Sequence, residues 1–375
     1  MNNLIRLSRS DVGDNEILGL SNVINDGYLG MGSYVDRLES QLKAYLQTKS
    51  HVICVSSGTA ALHLALQASG VGYGDEVLVP SITYLASYQA ISACGALPVS
   101  CDVQSDTLFL DTSDAEQRIT SRTKAILAVH YASSNAGIDK IYSLASAYGL
   151  SVIEDAAHSF GSSHRGFLVG ASESLVCFSF DGIKNITCGE GGAVVTSSDR
   201  LADYIRDARL LGVSNDSARR IINQRSWQPD VLIQGWRYHM SNLCAAIGTS
   251  QLSSCDFKFN RRRELAQAYI LQLISNSSIQ LLDLDYSSIV PHIFPIIVRQ
   301  SIRDTVRARL DQLNIQTGIH YYPNHLLSKY RSSYSLPVAE NAGLSLISLP
   351  LHTLLTESEH SFVIDSLVSI LSHVS

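Results

Sequence analysis

FSFDGIKNITCGEGG, residues 178–192, is the stretch on which the fold turns. An apolar run over residues 175–180 stops at Asp181, Lys184 follows, and Gly189-Glu190-Gly191-Gly192 lead into a second apolar run, Ala193-Val194-Val195. Short apolar runs bounded by polar residues and glycine read as buried strands. The reversal between these two is too short for a helical crossover, so they are expected to pair antiparallel. Lys184 then has two readings. It is a solvated loop lysine, or it is aimed into a cleft where its amine forms a covalent bond.

Outward from this stretch the pattern repeats. Candidate strands cover residues 51–55, 76–79, 96–102, 125–130, 151–155, 175–180 and 192–196, and helix-period segments at 60–68, 86–94 and 138–148 lie between them. Such alternation predicts an α/β fold with a seven-stranded, mixed but mostly parallel sheet. Residues 213–235 are polar and aperiodic and read as a long loop. A single helix is expected over 240–263, with Arg261-Arg262-Arg263 as a solvated face. A strand at 290–298, a helix near 302–313 and a last helix around 357–371 complete a smaller C-terminal α/β lobe. The expected division is residues 1–250 for the large lobe and 251–375 for the small one.

The 375 residues suffice for a sizeable core without disulfides or a metal. Twenty-eight basic against 34 acidic side chains, a net charge of −6, argue against nucleic acid as a partner. The cysteines number seven, an odd count with no CxxC pair, and most lie in apolar runs; they read as buried thiols in a reducing compartment. No signal peptide and no apolar window of about 18 residues stands out, so no membrane span is expected and the cytoplasm is the expected location.

Three constellations could carry chemistry. In VSSGTAALHLALQASG, residues 55–70, a strand ends and an apolar helix begins at Ser56-Ser57-Gly58-Thr59. The unpaired N–H groups of a helix start bind phosphate, although Ser and Thr are also ordinary caps there. Neither a P-loop lysine nor GxGxxG stands at this turn. In SVIEDAAHSFGS, residues 151–162, Asp155 closes a strand, where open α/β sheets bind ligands. Asp155 could equally cap a helix, and His158 alone reads as structural. The third is Lys184. A lysine for a Schiff base, a carboxylate for a ring nitrogen and a helix start for a phosphate match the three ends of pyridoxal phosphate. Zinc, catalytic-triad and Walker motifs are absent.

With those residues in view, the chain resembles the DegT/DnrJ/StrS family of sugar aminotransferases, which share the fold of the aspartate aminotransferase class (fold type I). The resemblance is carried by SSGTAALHLAL, GDEVLVPSITYLAS, RTKAILAVH, VIEDAAHSFG, FSFDGIKNITCGEGGAVVT, RYHMSNLCAAIG and TGIHYYPNH, in the family's order over nearly the whole chain. It implies the following roles. Lys184 forms the Schiff base and moves the proton between substrate and cofactor. Asp155 partners the pyridine nitrogen, His158 lies near the ring, and Tyr84 stacks on it. Gly58, Thr59, Ala60 and Ser179 surround the phosphate. Asn242 reaches the phosphate from the partner subunit of a homodimer. Tyr28 and Leu29, in Gly27-Tyr28-Leu29-Gly30, and His320 and Tyr321 lie near the sugar pocket. The implied reaction moves an amino group from L-glutamate to a nucleotide-linked keto-sugar, a 4-keto-6-deoxyhexose above all, toward surface-polysaccharide, O-antigen or antibiotic sugars.

Some relatives carry histidine at the lysine position and catalyse sugar dehydration; this chain keeps Lys184. A dehydratase on the same scaffold and a non-catalytic regulatory homologue are the competing readings. Asp181-Gly182-Ile183 departs from the His-Pro-Thr-like spacer of many members.

Overall fold

A computed structural model describes residues 4–374, apart from 215, 223, 225 and 226. The seven expected strands form one sheet: β1 (His51–Val55), β2 (Glu76–Pro80), β3 (Leu97–Cys101), β4 (Thr123–Val129), β5 (Ser151–Asp155), β6 (Val176–Ser179) and β7 (Gly192–Thr196). Their order is β1-β7-β6-β5-β4-β2-β3. Pairing is parallel from β6 through β3, while β7 runs antiparallel to both β1 and β6. The glycine-rich reversal before Gly192 therefore does what its length requires.

Strand side chains alternate between faces. Ile53, Val55, Val77, Val79, Leu127 and Ile153 join one core with the Gly58–Ala68 helix. Val52, Cys54, Val176, Phe178 and Val195 join another with the Ser33–Tyr45 helix. The Gly58–Ala68 helix is buried almost all round, as a helix without a polar face must be. A third core fills the space under the Ile138–Tyr148 helix.

The smaller lobe holds an antiparallel sheet of β8 (Gln280–Leu281), β9 (Phe294–Ile297) and β10 (Leu346–Leu349), packed with the Gln300–Gln312 and Glu357–Val374 helices. Ile5 joins its core and bridges Ile315, so the chain's first described residues dock here, while the Asp14–Asp26 helix packs with the large lobe.

Three expectations need correction. The helix expected over 240–263 is two, Asn242–Ser253 and Cys255–Leu273, which meet at Ser254. There the hydroxyls of Ser253 and Ser254 bond the carbonyls of Ser250 and Gln251, competing with the helical ladder. The Arg261–Arg263 run is not a solvated face. Arg262 is 3% exposed and donates to the carbonyls of Pro291, His292 and Leu351, while Arg261 and Arg263 are half-buried. Arg261 reaches Glu357 at 2.6 Å and Arg263 reaches the carbonyl of Ile289 at 2.9 Å. Finally, the long polar segment contains a short helix, Asp216–Ile221, tied by an Arg220–Asp216 ion pair at 2.7 Å.

Candidate active site

The glycines of the opening stretch are explained by what lies above them. A Cβ on Gly192 would stand 2.6 Å from the Ser57 carbonyl oxygen, and one on Gly191 would stand 2.8 Å from Met240 Cε. Only glycine lets β7 pass this close beneath the start of the Gly58–Ala68 helix. Gly58 meets the same demand from the other side, since its Cβ would lie 2.7 Å from Ser179 Cβ. The helix start is thereby pressed against the end of β6. Ser57 caps it in an extended conformation, its Oγ accepting from the Ala60 N–H at 3.1 Å. The first intrahelical bond runs from Ala61 N–H to Ser57 O. The N–H groups of Gly58 and Thr59 precede that bond and are free to face an anion. Ala60 enters phosphate binding only by sharing the N–H that Ser57 holds.

Asp155 ends β5 and is buried. Ser87 Oγ donates to its Oδ2 at 2.8 Å and Ala157 N–H to its Oδ1 at 3.2 Å. Thr83 Oγ1 lies 2.9 Å from Ser87 Oγ, which extends the chain of hydroxyls. Burial pushes the Asp155 carboxyl above the usual carboxylate range; the two donors and Lys184 oppose it. Among the described residues no cationic side chain pairs directly with this buried carboxylate.

Lys184 follows a turn closed by its own N–H on Asp181 O. Its Nζ contacts His292 Nε2 at 3.4 Å. Burial lowers its pKa to about 8, with Asp155 and Asp181 acting the other way. The surrounding imidazoles are held neutral. Burial first, and the Lys184 charge next, push His158 and His292 well below the ordinary histidine range and His320 down to about 4. Tyr321 O–H contacts His158 Nε2 at 3.0 Å, and the His158 and His292 rings stand 4.5 Å apart. The segment bearing His320 and Tyr321 is fastened to the large lobe by Asn324, whose amide donates to the carbonyls of Ser81 and Thr83.

One cavity of about 360 Å³ is lined by Gly58, Thr59, Tyr84, Asp155, His158, Ser179, Lys184, His320 and Tyr321. These expected residues are therefore brought together from positions 58 to 321. Tyr84 is 63% exposed, its ring 5.9 Å from that of Tyr321, so it is not a core tyrosine but a ring with a free face at the cavity. Tyr28, Leu29 and Asn242 are not among the lining residues. They form their own cluster: Asn242 is 2% exposed, its Nδ2 donates to Tyr28 O at 2.8 Å, and its backbone N–H bonds the carbonyls of Leu29 and Gly30.

Sequence reasoning missed His292, Ser87, Asp181 and Glu190. Ser87 had a signal, since it lies three residues after Tyr84 in the first turn of the Leu85–Ala93 helix. His292 had none, being 108 positions from the lysine it touches.

The arrangement suits pyridoxal phosphate. An amine of lowered pKa and a buried carboxylate face one cavity, a helix start with two free N–H groups opens on it, and an unstacked aromatic ring stands at its side. His158 Nδ1 and His292 Nδ1 are buried without a partner in the same place.

Comparison with known proteins agrees. The model of the DegT/DnrJ/EryC1/StrS aminotransferase family matches residues 10–368. Among solved structures, the aminotransferase TlmJ from Streptoalloteichus hindustanus is 29% identical, with TM-score 0.92 and 100% of both chains covered. Spr1654 from Streptococcus pneumoniae, designated a sugar aminotransferase and solved in its PLP form, is 27% identical, with TM-score 0.90 and both chains covered in full. DesV from S. venezuelae, solved with a ketimine intermediate, is 35% identical over 94% of this chain and 93% of its own, with TM-score 0.86. A cavity that converges on Lys184 and Asp155, in a chain matched from residue 10 to residue 368, places this protein in the DegT/DnrJ/EryC1/StrS aminotransferase family, whose cofactor is pyridoxal phosphate.

Proposed function

We propose that this enzyme transfers an amino group from L-glutamate to the keto group of a nucleotide-linked sugar, a 4-keto-6-deoxyhexose in first place. The observation that carries the proposal is the pairing of a lysine of lowered pKa with a buried, hydroxyl-held aspartate in one cavity. The product of such a reaction belongs to surface-polysaccharide, O-antigen or antibiotic sugar synthesis. The resemblance to sugar aminotransferases supports the substrate class.

Bound in this cavity, pyridoxal phosphate supplies a carbon that carries the amino group and a protonated ring that withdraws electrons from it. The rest is done by the chain. The N–H groups of Gly58 and Thr59, with the hydroxyls of Thr59 and Ser179, hold the phosphate. Asp155 would keep a proton on the ring nitrogen; Ser87 and Ala157 favour its ionised form against the burial that raises its pKa. The free face of Tyr84 would offer a surface for a flat aromatic ring. Lys184 Nζ takes the proton from the donor carbon and returns it, which requires the neutral amine. A pKa near 8 leaves about a tenth of the free amine neutral at pH 7. His158, His320 and Tyr321 occupy the sugar side of the cavity.

The working unit we infer is a homodimer with shared sites, in the cytoplasm. Tyr28, Leu29 and Asn242 stand apart from their own chain's cavity, and the Asp14–Asp26 helix exposes Ile17, Leu18 and Ile24. All seven cysteines are free. Among the described residues no helix is long and apolar enough to cross a membrane.

The test is incubation with L-glutamate and a panel of nucleotide-linked keto-sugars, with 2-oxoglutarate and the amino-sugar product followed by mass. Lys184→Ala should lower turnover about 100-fold or more. Turnover of Lys184→Ala at the wild-type rate would remove the lysine from the mechanism, and failure of any keto-sugar to yield 2-oxoglutarate would remove the reaction.

A further inference from the structure

His292 comes from the small lobe, just before β9, and its ring stands in the cavity that holds Lys184. Its position is over-determined by three neighbouring residues. Ser133 Oγ accepts from the His292 N–H at 3.0 Å and donates to the His158 carbonyl, so one hydroxyl registers both imidazoles. Asn185, next to the lysine, donates to the carbonyls of His158, Phe160 and Val290. Arg262 donates to the His292 carbonyl from behind at 3.3 Å. The lysine loop, the His158 segment and the His292 segment are thus stapled together.

An imidazole at this place is costly. His292 is buried, and among the described residues its Nδ1 has no partner. A phenyl ring would pack there without that penalty. The polar contact that repays the imidazole is Nε2 to Lys184 Nζ, at 3.4 Å. A neutral imidazole whose Nδ1 bears the proton offers Nε2 as an acceptor. An amine that donates one N–H to it points its lone pair away from His292.

We propose that His292 is a positioning residue for Lys184: Nε2 accepts an N–H from the lysine amine whenever that amine is free, parks it against the small lobe, and turns its lone pair toward the reacting carbon. The proposal rests on the reading of Lys184 as the proton carrier. It assigns the small lobe a part in the chemistry, since withdrawal of the 290–293 segment would release the lysine. The other charged or titratable groups facing Lys184 are Asp155, Asp181, Arg262, His158 and His320. His158, whose ring stands 4.5 Å from that of His292, loses the same imidazole contact in every substitution at 292, so the comparison of His292→Phe with His292→Gln isolates the acceptor.

The experiment reads the lysine directly and needs neither glutamate nor a keto-sugar, so its failure is separable from failure of the proposed reaction. The full-length protein, freed of cofactor, is trace-labelled with acetic anhydride across pH 6–10 (a range set by the method), and acetylation of Lys184 is quantified by peptide mass. The wild type should label with a midpoint near pH 8. An acceptor stabilises the ammonium form more than the amine, so His292→Phe should move the midpoint down. Its labelling at pH 7, relative to its own plateau, should rise about threefold to tenfold. His292→Gln, which restores an acceptor, should return toward the wild type. A His292→Phe profile that overlays the wild type would overturn the proposal. So would a His292→Gln profile displaced as far as that of His292→Phe, because the effect would then be one of packing. Should His292→Phe not fold, the His292→Gln and His292→Leu pair decides by the same criterion.

Discussion

Ser87→Ala removes one hydroxyl from the back of the site and should make cofactor binding depend on pH in a specific way. Ser87 Oγ donates to Asp155 Oδ2 at 2.8 Å, and both groups are buried. A hydrogen bond to a charged group is worth about 1.5–3 kcal/mol, or about 10–100-fold in the population of the form it favours. Here that form is the carboxylate, the one that holds a proton on the ring nitrogen. Burial already pushes Asp155 up; without Ser87 it rises further. At pH values where both proteins have Asp155 protonated before binding, the variant should bind pyridoxal phosphate about 10–100-fold more weakly. At pH values where both have it ionised, the two should converge. The assay is titration of cofactor by absorbance at several pH values. The variant-to-wild-type ratio at each pH cancels the ionisations of the cofactor itself. A loss of equal size at every pH would refute the reasoning, since it would mean that Ser87 acts through packing. No loss at any pH would refute it too, and would place the supporting donor elsewhere, for example at Thr83, 2.9 Å from Ser87.

Two further outcomes follow from the same geometry. Asp155→Asn should abolish tight cofactor binding yet raise the melting temperature of the cofactor-free protein at pH values above the raised pKa of Asp155. The sign follows from linkage: a folded pKa above the unfolded value means stability that is present at low pH and lost as pH rises through the folded pKa, and the amide never incurs that loss. Equal melting temperatures at high pH would contradict it. Gly58→Ala places a Cβ 2.7 Å from Ser179 Cβ, so the helix start must retreat. Overpacking of this kind costs about 1–3 kcal/mol, measured by denaturant unfolding, and binding of inorganic phosphate at the helix start should weaken with it; unchanged stability and phosphate affinity would show that the close approach is dispensable.

Much of the fold was legible because its signals are local. Strand alternation, the all-apolar helix after Gly58 and the short reversal before Gly192 each follow from a few adjacent residues, and the sheet has the expected strands and hand-over from parallel to antiparallel pairing. Errors arose where a local pattern had a second solution. A run of three arginines looks solvated, but Arg262 finds the carbonyls of Pro291 and His292 in one segment and of Leu351 in another, 29 to 89 residues away. The helix expected across 240–263 has no proline or glycine at its break; two serine hydroxyls divide it.

By itself the sequence determined the seven strands of the large sheet, that Asp155 closes one of them and Lys184 lies between two others, and which family the chain belongs to, because each of these depends on side-chain periodicity or on a short motif. Only the tertiary structure decided that His292 touches Lys184, that Ser87 holds Asp155, and that Asn242 keeps to the Tyr28–Leu29 loop instead of the cavity of its own chain. Those contacts join residues 68 to 214 positions apart. Apart from the spacing of Ser87 from Tyr84, nothing in the chain near either partner records them, because a hydrogen bond across a cavity is set by how layers pack and leaves no period in the sequence.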